Sequence, residues 1–288
     1  MRRKTTPTLR HYVPGAWGRL RVGSHPDRAR LDSETLFLHV LGENKAWLLA
    51  HLDDELPGDK VARFNDLIER RYAGEPIQYI TGEQEFYGLP FRVTADVLIP
   101  RPETEHLVEK ALGLAAEFER PRIVDVGTGS GAIAVALAYR FPLAQIAAVD
   151  ISPAALDVAR ENASRNGVGG RIDFKQSDLL DAVADERFEM VVSNPPYVPT
   201  TDRDSLSVEV RDHEPGLALF AGADGLDVYR RLIPAAFAVL EPGGLLLMEI
   251  CYGQSAAVAA LLTESGFEKV EFVPDLQGIP RVACGQRL

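Results

Sequence analysis

The sequence predicts a doubly wound α/β domain preceded by a small helical region. Strands and helices alternate regularly from Pro121 to the C-terminus, and a glycine-rich loop joins the first of these strands to its helix. Several strands are continuous apolar runs, such as Met190-Val191-Val192, which is typical of a parallel sheet covered by helices on both faces. The 288 residues are enough for two domains.

The composition excludes several classes of protein. Hydrophobic residues make up 46% of the chain and charged residues 25%, which is typical of a globular protein and not of a disordered one. No apolar run approaches the roughly 18 residues of a membrane span, and the N-terminus lacks the apolar stretch of a signal peptide. We therefore expect a cytoplasmic protein with no membrane partner. The cysteines, Cys251 and Cys284, and the scattered histidines offer no metal-ligand spacing, so we expect no metal.

Charge is distributed unevenly along the chain. The net charge is −11, but the first 30 residues carry eight basic side chains and one acid, which leaves −18 on the remainder. A body this acidic repels a phosphate backbone, so we expect no stable partnership with nucleic acid. Residues 1–28 are predicted to form a basic, partly disordered extension, with contact to RNA or a transit segment as alternatives. Residues that break a helix there are Pro7, Pro14, Gly15, Gly18 and Gly23.

The region between this extension and the α/β domain divides into two parts. Residues 29–74 contain three short amphipathic segments, which cannot bury their apolar faces alone and therefore predict a small helical bundle. These segments cover residues 31–41, 45–52 and 59–72. Residues 75–103 contain aromatic and β-branched pieces separated by glycine and proline, among them Gln78-Tyr79-Ile80 and Glu85-Phe86-Tyr87, and predict a β-hairpin connector.

The last predicted domain covers residues 104–288 and contains the α/β pattern. It opens with a helix over residues 104–118. The predicted strands are 122–126, 145–150, 172–175, 188–193, 245–251, 270–273 and 281–284. The helices predicted between them are 131–140, 153–166, 226–239 and 254–265.

The loop after the first of these strands predicts a ligand that carries a nucleoside. Gly127 and Gly129 allow a tight turn and a close approach to the backbone, and the helix that follows directs its first N–H groups at the same place. Asp150 ends the next strand, where a carboxylate can accept hydrogen bonds from both hydroxyls of a ribose. With Ala132 in its last position the loop also fits the relaxed dinucleotide fingerprint, so a nicotinamide cofactor is an alternative.

Asn194-Pro195-Pro196-Tyr197 follows the fourth strand, at the carboxyl edge where open sheets bind ligands. The prolines fix the backbone and remove two N–H donors, which leaves a segment rich in acceptors. The side-chain oxygen of Asn194 and the carbonyl of Pro195 can hold both hydrogens of one NH2 group, while Tyr197 offers a flat face. An amide nitrogen held in this way can meet an electrophile without a strong base, so we predict these three residues as the catalytic groups.

The glycine loop together with Asn-Pro-Pro-Tyr resembles the S-adenosylmethionine-dependent methyltransferases that modify amide or exocyclic nitrogens. Within these enzymes, the chain resembles the peptide chain release factor N(5)-glutamine methyltransferases over about residues 30–288. The segments that carry the resemblance are LDSE at 31–34, EPIQYITG at 75–82, LIPRPETE at 98–105, VDVGTGSGAIA at 124–134, SNPPYV at 193–198, and EP at 214–215 followed by AL at 218–219.

This resemblance implies a seven-stranded Rossmann-like methyltransferase sheet and a monomeric enzyme that methylates the glutamine of the Gly-Gly-Gln motif in class 1 release factors, supporting translation termination. The helical domain at 29–74 would help to dock that protein partner. The implied S-adenosylmethionine-binding residues are Gly127, Thr128, Gly129, Ser130, Gly131, Asp150, Asp178, Leu179 and Asn194. The implied glutamine-binding residues are Asn194, Pro195, Pro196 and Tyr197. Many relatives carry an aromatic residue at the position of Leu179.

The sequence is compatible with four alternatives. A ribosomal-protein glutamine methyltransferase shares the same site, and a methyltransferase acting on exocyclic amines of nucleic acid shares the same chemistry. A nicotinamide oxidoreductase is compatible with the glycine loop alone. The alternative without catalysis is a module that binds a partner and retains the cofactor pocket only as an inactive relic.

Overall fold

The computed structural model describes residues 7–288, which form two compact units. The first unit contains residues 7–82 and the segment Ser207–His213, and the second contains Glu83–Leu206 and Glu214–Leu288. The division of these units into docking domain, connector and catalytic domain stays a prediction. None of the helices in residues 7–288 has the length and apolar character of a membrane span.

The helices are α1 Tyr12–Leu20, α2 Ala29–Leu41, α3 Lys45–Ala50, α4 Gly58–Tyr72, α5 Ile77–Thr81, α6 Glu105–Ala115, α7 Ala132–Arg140, α8 Pro153–Arg165, α9 Val208–His213, α10 Asp227–Val239 and α11 Ser255–Glu264. The strands are β1 Glu83–Phe86, β2 Leu89–Arg92, β3 Arg122–Val126, β4 Gln145–Asp150, β5 Ile172–Gln176, β6 Phe188–Ser193, β7 Leu240–Glu249, β8 Glu268–Pro274 and β9 Pro280–Gln286.

The prediction that residues up to 28 form a partly disordered extension is wrong for residues 9–20, which form a 3-10 turn and helix α1. Pro14 lies in the first turn of α1, where backbone N–H groups have no acceptor within the helix. The absence of an N–H in proline therefore costs no helical hydrogen bond there. Burial of Leu9, Ala16 and Leu20 in the helical core outweighs the roughly 1 kcal/mol that each helical glycine costs. The basic residues Arg2, Arg3 and Lys4 lie outside the described residues.

Basic side chains of this segment pair with acids of the same unit. Arg10 forms an ion pair with Asp53, and Arg19 forms one with Glu69 at 2.8 Å. The Arg19 guanidinium also lies 3.5 Å from the ring centroid of Tyr72. The local excess of positive charge is therefore partly neutralised within the helical unit.

Gln78-Tyr79-Ile80, predicted as an extended piece, lies in helix α5. Pro76 directly precedes this helix, and Gly82 ends it in the left-handed conformation with φ of 78°. Ile80 is buried in the helical core. Five residues are too few for sequence periodicity to distinguish a helix from a strand, so packing decides.

A buried ion network joins three parts of the first unit. The Arg71 side chain is only 2% exposed, and its Nε donates to Oδ2 of Asp32 at 2.7 Å. Nη1 of Arg71 donates to Glu209 of helix α9 and to the carbonyl of Glu75 at 2.9 Å. Burying this guanidinium is tolerated because carboxylates and a carbonyl surround it. Glu209 thereby ties α9, which is distant in sequence, to helices α2 and α4.

The second unit contains a seven-stranded sheet in the order β5-β4-β3-β6-β7-β9-β8, as the sequence predicts in number and type. The strands from β5 to β7 pair in parallel, and β9 runs antiparallel to both neighbours. The chain moves outward in one direction from β3 to β5 and in the other from β6, so the topological switch point lies between β3 and β6. Strand β7 begins earlier than predicted, because Gly243 and Gly244 weaken the strand signal within it.

Helices cover both faces of the sheet, as predicted. One core cluster contains side chains of α6 and α7 with those of the sheet, and the other contains side chains of α10 and α11. The predicted hairpin is confirmed as β1 and β2, which pair antiparallel. Phe86, Leu89 and Phe91 of this hairpin are buried in the first cluster. The hairpin is therefore packed onto the α/β unit.

Candidate functional site

The glycine loop between β3 and α7 has a backbone that requires glycine. Gly127, Gly129 and Gly131 have φ of 70°, 54° and 80°, in the left-handed region where a Cβ is strained. The N–H groups of Gly127 and Thr128 donate to the carbonyl of Val149 at 2.9 and 3.0 Å. These bonds hold the turn against the end of β4 and leave the loop edge open at the carboxyl side of the sheet.

Asp150 lies beside this loop and orders it. One carboxylate oxygen accepts the N–H of Gly129 at 2.8 Å, and the other accepts the N–H of Ser152 at 2.9 Å. Burial raises the pKa of Asp150, and these backbone hydrogen bonds oppose the shift. A carboxylate offers about four lone-pair sites, so Asp150 can accept further bonds from a diol.

A cavity of about 310 Å³ lies at the switch point, within the 300–1,000 Å³ typical of small-molecule sites. The predicted residues that line it are Gly127, Thr128, Gly129, Ser130, Asp150, Asp178, Leu179, Asn194 and Pro196. Gly131, Pro195 and Tyr197 lie outside this lining. The cavity therefore brings the glycine loop after β3 and the Asn-Pro-Pro-Tyr segment after β6 into one space.

Leu179 has an uncommon backbone conformation at the cavity wall. Its φ is 51°, in the left-handed region that leucine rarely adopts, and such strained residues cluster at functional sites. The neighbouring Asp178 pairs with Arg231, which also lines the cavity, at 2.7 Å. Leu179 and Asp178 together offer an apolar surface and a hydrogen-bond acceptor, which suit the binding of a planar heterocycle.

The Asn-Pro-Pro-Tyr segment is held by a hydrogen-bond network. Nδ2 of Asn194 donates to the hydroxyl of Thr104 at 3.0 Å, and that hydroxyl donates to Oε2 of Glu249 at 2.6 Å. The hydroxyl of Tyr197 donates to the other oxygen of Glu249 at 3.0 Å. Burial, followed by the charge of Glu249, raises the pKa of Tyr197, which therefore keeps its proton and acts as a donor.

The backbone of Tyr197 is held from a second side. Nε2 of Gln254 donates to the carbonyl of Tyr197 at 3.1 Å and lies 3.4 Å from the carbonyl of Gly225. A Cβ at Gly225 would lie 2.3 Å from the Tyr197 carbonyl oxygen, so only glycine allows this approach.

Sequence reasoning missed Thr104, Glu249, Gly225 and Gln254. Glu249 had a detectable signal, since it is a single acid in the otherwise apolar run of residues 245–250. Arg101 also lines the cavity, and its Nη2 donates to the buried carboxylate of Glu214 at 2.6 Å.

Within the described part of the chain, no group of three His, Cys, Asp or Glu side chains is placed to hold a metal ion.

Asp125 stabilises the glycine loop by accepting hydrogen bonds. Its Oδ2 accepts the Thr128 hydroxyl at 2.6 Å and the Ala134 N–H at 3.1 Å, while its buried Oδ1 has no hydrogen-bond partner among residues 7–288. Burial raises the pKa of Asp125 to about 7.

This raised pKa predicts a pH-dependent stability. Between about pH 4 and pH 7 the native state holds a proton that the unfolded chain releases, so the free energy of unfolding decreases as the pH rises. The slope from this group is at most about 1.4 kcal/mol per pH unit. We expect Asp125→Asn, which cannot titrate, to flatten the dependence that urea unfolding measures over this range. Parallel curves for the two proteins would contradict the assignment.

Comparisons with known proteins cover both parts of the chain. The family model described as the PrmC N-terminal domain matches residues 16–82, and the methyltransferase small domain matches residues 104–209. The chain is 44% identical over 281 residues to the release factor glutamine methyltransferase of Koribacter versatilis, covering 97% of this chain and 99% of that protein. Its identity to the protein of the same name from Moorella thermoacetica is also 44% over 281 residues, with the same coverage.

A solved structure supports the fold. The T. thermophilus 16S rRNA N2 G1207 methyltransferase (RsmC), in complex with AdoMet and guanosine, has a TM-score of 0.54 and 20% sequence identity. The match covers 72% of this chain and 50% of that one. At this identity the likeness shows a shared methyltransferase fold and nothing about substrate.

Proposed function

The chain belongs to the release factor glutamine methyltransferases, and from this premise we propose which of its residues carry out the reaction. The enzyme uses S-adenosylmethionine to methylate the side-chain amide nitrogen of a release factor glutamine, the one in the Gly-Gly-Gln motif. Asn194 and the carbonyl of Pro195 hold that amide, and Tyr197 supports the segment. Family membership leaves no basis for the nicotinamide alternative.

One observation carries this assignment. Asn194 lines the same cavity as the glycine loop, and its side-chain nitrogen is already engaged by Thr104. Its Oδ1 accepts no hydrogen bond among residues 7–288 and is the acceptor that this side chain offers to a ligand. A glutamine NH2 group needs acceptors, and the two residues that follow Asn194 are prolines, whose backbone has no N–H to compete for this oxygen.

The cofactor is assigned to the other side of the cavity. Gly127 and Gly129 allow close approach of the methionine part, Asp150 accepts the ribose hydroxyls, and Leu179 with Asp178 contacts the adenine. The cavity volume and the free lone pairs of Asp150 fit this group. When bound, S-adenosylmethionine supplies a methyl group on a sulfonium sulfur that leaves as a neutral thioether.

The residues of this chain act by positioning and by electrostatics. Oδ1 of Asn194 and the Pro195 carbonyl hold both N–H bonds of the amide, so its nitrogen lone pair is directed at the methyl carbon. On transfer of the methyl group from sulfur to nitrogen, the amide nitrogen would become cationic, and these two oxygens would stabilise the positive charge. One of the two protons then leaves to water, so no strong base is required before attack.

The protein partner is a class 1 release factor, and the enzyme acts in the cytoplasm as a monomer. The helical unit is assigned the docking of that larger partner. The model of the PrmC N-terminal domain over residues 16–82 supports a dedicated role for this part of the chain.

The test is a methylation assay with purified components. We expect a bacterial class 1 release factor that lacks the modification to gain the mass of one methylene group at its Gly-Gly-Gln glutamine when incubated with this protein and S-adenosylmethionine. A release factor with glutamate in place of that glutamine is the matched control and should gain nothing. Methyl transfer to ribosomal protein or nucleic acid in parallel reactions, with none to the release factor, would overturn the proposal.

A further inference from the structure

A fully enclosed carboxylate lies behind the Asn-Pro-Pro-Tyr segment. Glu249, at the end of β7, is only 3% exposed, and both of its oxygens accept hydroxyl hydrogen bonds, from Thr104 at 2.6 Å and from Tyr197 at 3.0 Å. The hydroxyl of Tyr229, which has no exposed surface, donates to the backbone carbonyl of Glu249 at 2.9 Å. Both carboxylate oxygens and the backbone carbonyl of Glu249 are therefore held by hydroxyl groups.

The direction of each hydrogen bond follows from the number of protons. Burial raises the pKa of Glu249, and the hydrogen bonds from Thr104 and Tyr197 oppose that shift by favouring the ionised form. The ionised carboxylate has no hydrogen to give, so it can only accept. The Thr104 hydroxyl has one hydrogen, and Glu249 takes it. The oxygen of Thr104 can then only accept from Asn194, 3.0 Å away.

This direction determines which way the Asn194 amide is turned. Its NH2 end must face Thr104, because the oxygen end would place two acceptors against each other. The oxygen end must then lie on the other side of the planar amide. If the amide were reversed, it would present donors to the NH2 group of a glutamine, which itself has only donors.

We propose that Glu249 and Thr104 are positioning residues that hold Asn194 with its oxygen toward the acceptor amide, and so select a carboxamide over a carboxylate. This inference rests on the proposed function, because it concerns the same amide. A glutamate side chain would bring its own oxygens against Oδ1 of Asn194 and the Pro195 carbonyl. Discrimination of this kind is large when buried polar groups are left unpaired.

The test compares Thr104→Val, which keeps the shape but removes the hydroxyl, with Thr104→Ser, which restores the hydroxyl. We expect Thr104→Val to lower kcat for release factor methylation about tenfold to hundredfold, with the Kd of S-adenosylmethionine within about twofold of wild type. Thr104→Ser should recover most of the rate. A role in packing alone predicts the opposite order, since valine fills the site better than serine.

A second readout does not depend on catalysis. The side-chain NH2 signals of Asn194 can be assigned by NMR through their loss in Asn194→Ala, and their exchange with water reports the bond to Thr104. We expect faster exchange in Thr104→Val and protection close to wild type in Thr104→Ser. Glu249→Leu is the second variant if Thr104→Val does not fold, and it should also speed exchange, because the Thr104 hydroxyl then has no carboxylate to donate to and can turn its hydrogen toward Asn194.

Unchanged exchange and an unchanged kcat in these variants would overturn the positioning role while leaving the proposed function intact. A wild-type protein that methylates no release factor but shows the expected exchange pattern would instead overturn the proposed function and, with it, the role in selecting glutamine.

Discussion

Replacing Asn194 by alanine is expected to lower methyl transfer to the release factor about hundredfold to thousandfold, comparable to the loss of one preorganised polar group in other active sites. The variant loses the oxygen that holds the acceptor amide and leaves the Thr104 hydroxyl without its donor. Single-turnover rates with saturating S-adenosylmethionine measure this effect directly.

Cofactor binding provides the control for this variant. The glycine loop and Asp150 are unchanged in Asn194→Ala, so we expect the Kd of S-adenosylmethionine, measured by calorimetry, to rise less than about tenfold. A rate close to that of wild type would show that Asn194 does not hold the amide. A loss of rate explained entirely by weaker cofactor binding would assign Asn194 to the cofactor alone.

Replacing Asp150 by alanine is expected to weaken S-adenosylmethionine binding about hundredfold or more. The variant loses the carboxylate that accepts hydrogen bonds from the ribose hydroxyls, each worth about 1.5–3 kcal/mol. It also removes the acceptor for the N–H groups of Gly129 and Ser152, which loosens the glycine loop. Calorimetric titration of the cofactor measures the change.

Asp157→Ala is the matched control for this prediction. Asp157 lies in the helix that follows Asp150, is exposed, and pairs only at the surface with Arg160 at 2.9 Å. We expect this variant to bind S-adenosylmethionine as wild type does, since exposed ion pairs contribute little. Equal affinities for the two alanine variants would remove Asp150 from the cofactor site.

Much of the α/β unit could be predicted from local sequence. Its central strands contain apolar runs, such as Ile123-Val124 in β3 and Met190-Val191-Val192 in β6, so their positions can be recognised without knowledge of distant contacts. The loop at Gly127 and the segment at Asn194 each follow such a strand, and the carboxyl ends of parallel strands meet at one edge. Their presence around one cavity was therefore predictable before any contact was known.

The supporting residues of the site could not be predicted in this way. Thr104 and Glu249 lie 145 positions apart in the sequence, and their hydrogen bond exists only because the fold brings the residue directly before α6 to the end of β7. Helix α1 was missed for a related reason. Its glycines and Pro14 disfavour a helix locally, and only burial of side chains such as Leu20 against other helices reverses that preference.

The path of the chain through the helical unit limits how the protein can be divided. Ser207–His213 belongs to that unit, so the polypeptide enters it twice. A truncated protein that begins at Glu83 would lack Arg71, so Glu209 would lose its guanidinium partner. Glu209 follows Tyr197 closely in the sequence. A chimera that exchanges the helical unit between relatives must therefore exchange Ser207–His213 as well as the N-terminal helices. A single junction in the chain cannot separate the two units, because one of them contains two separate segments.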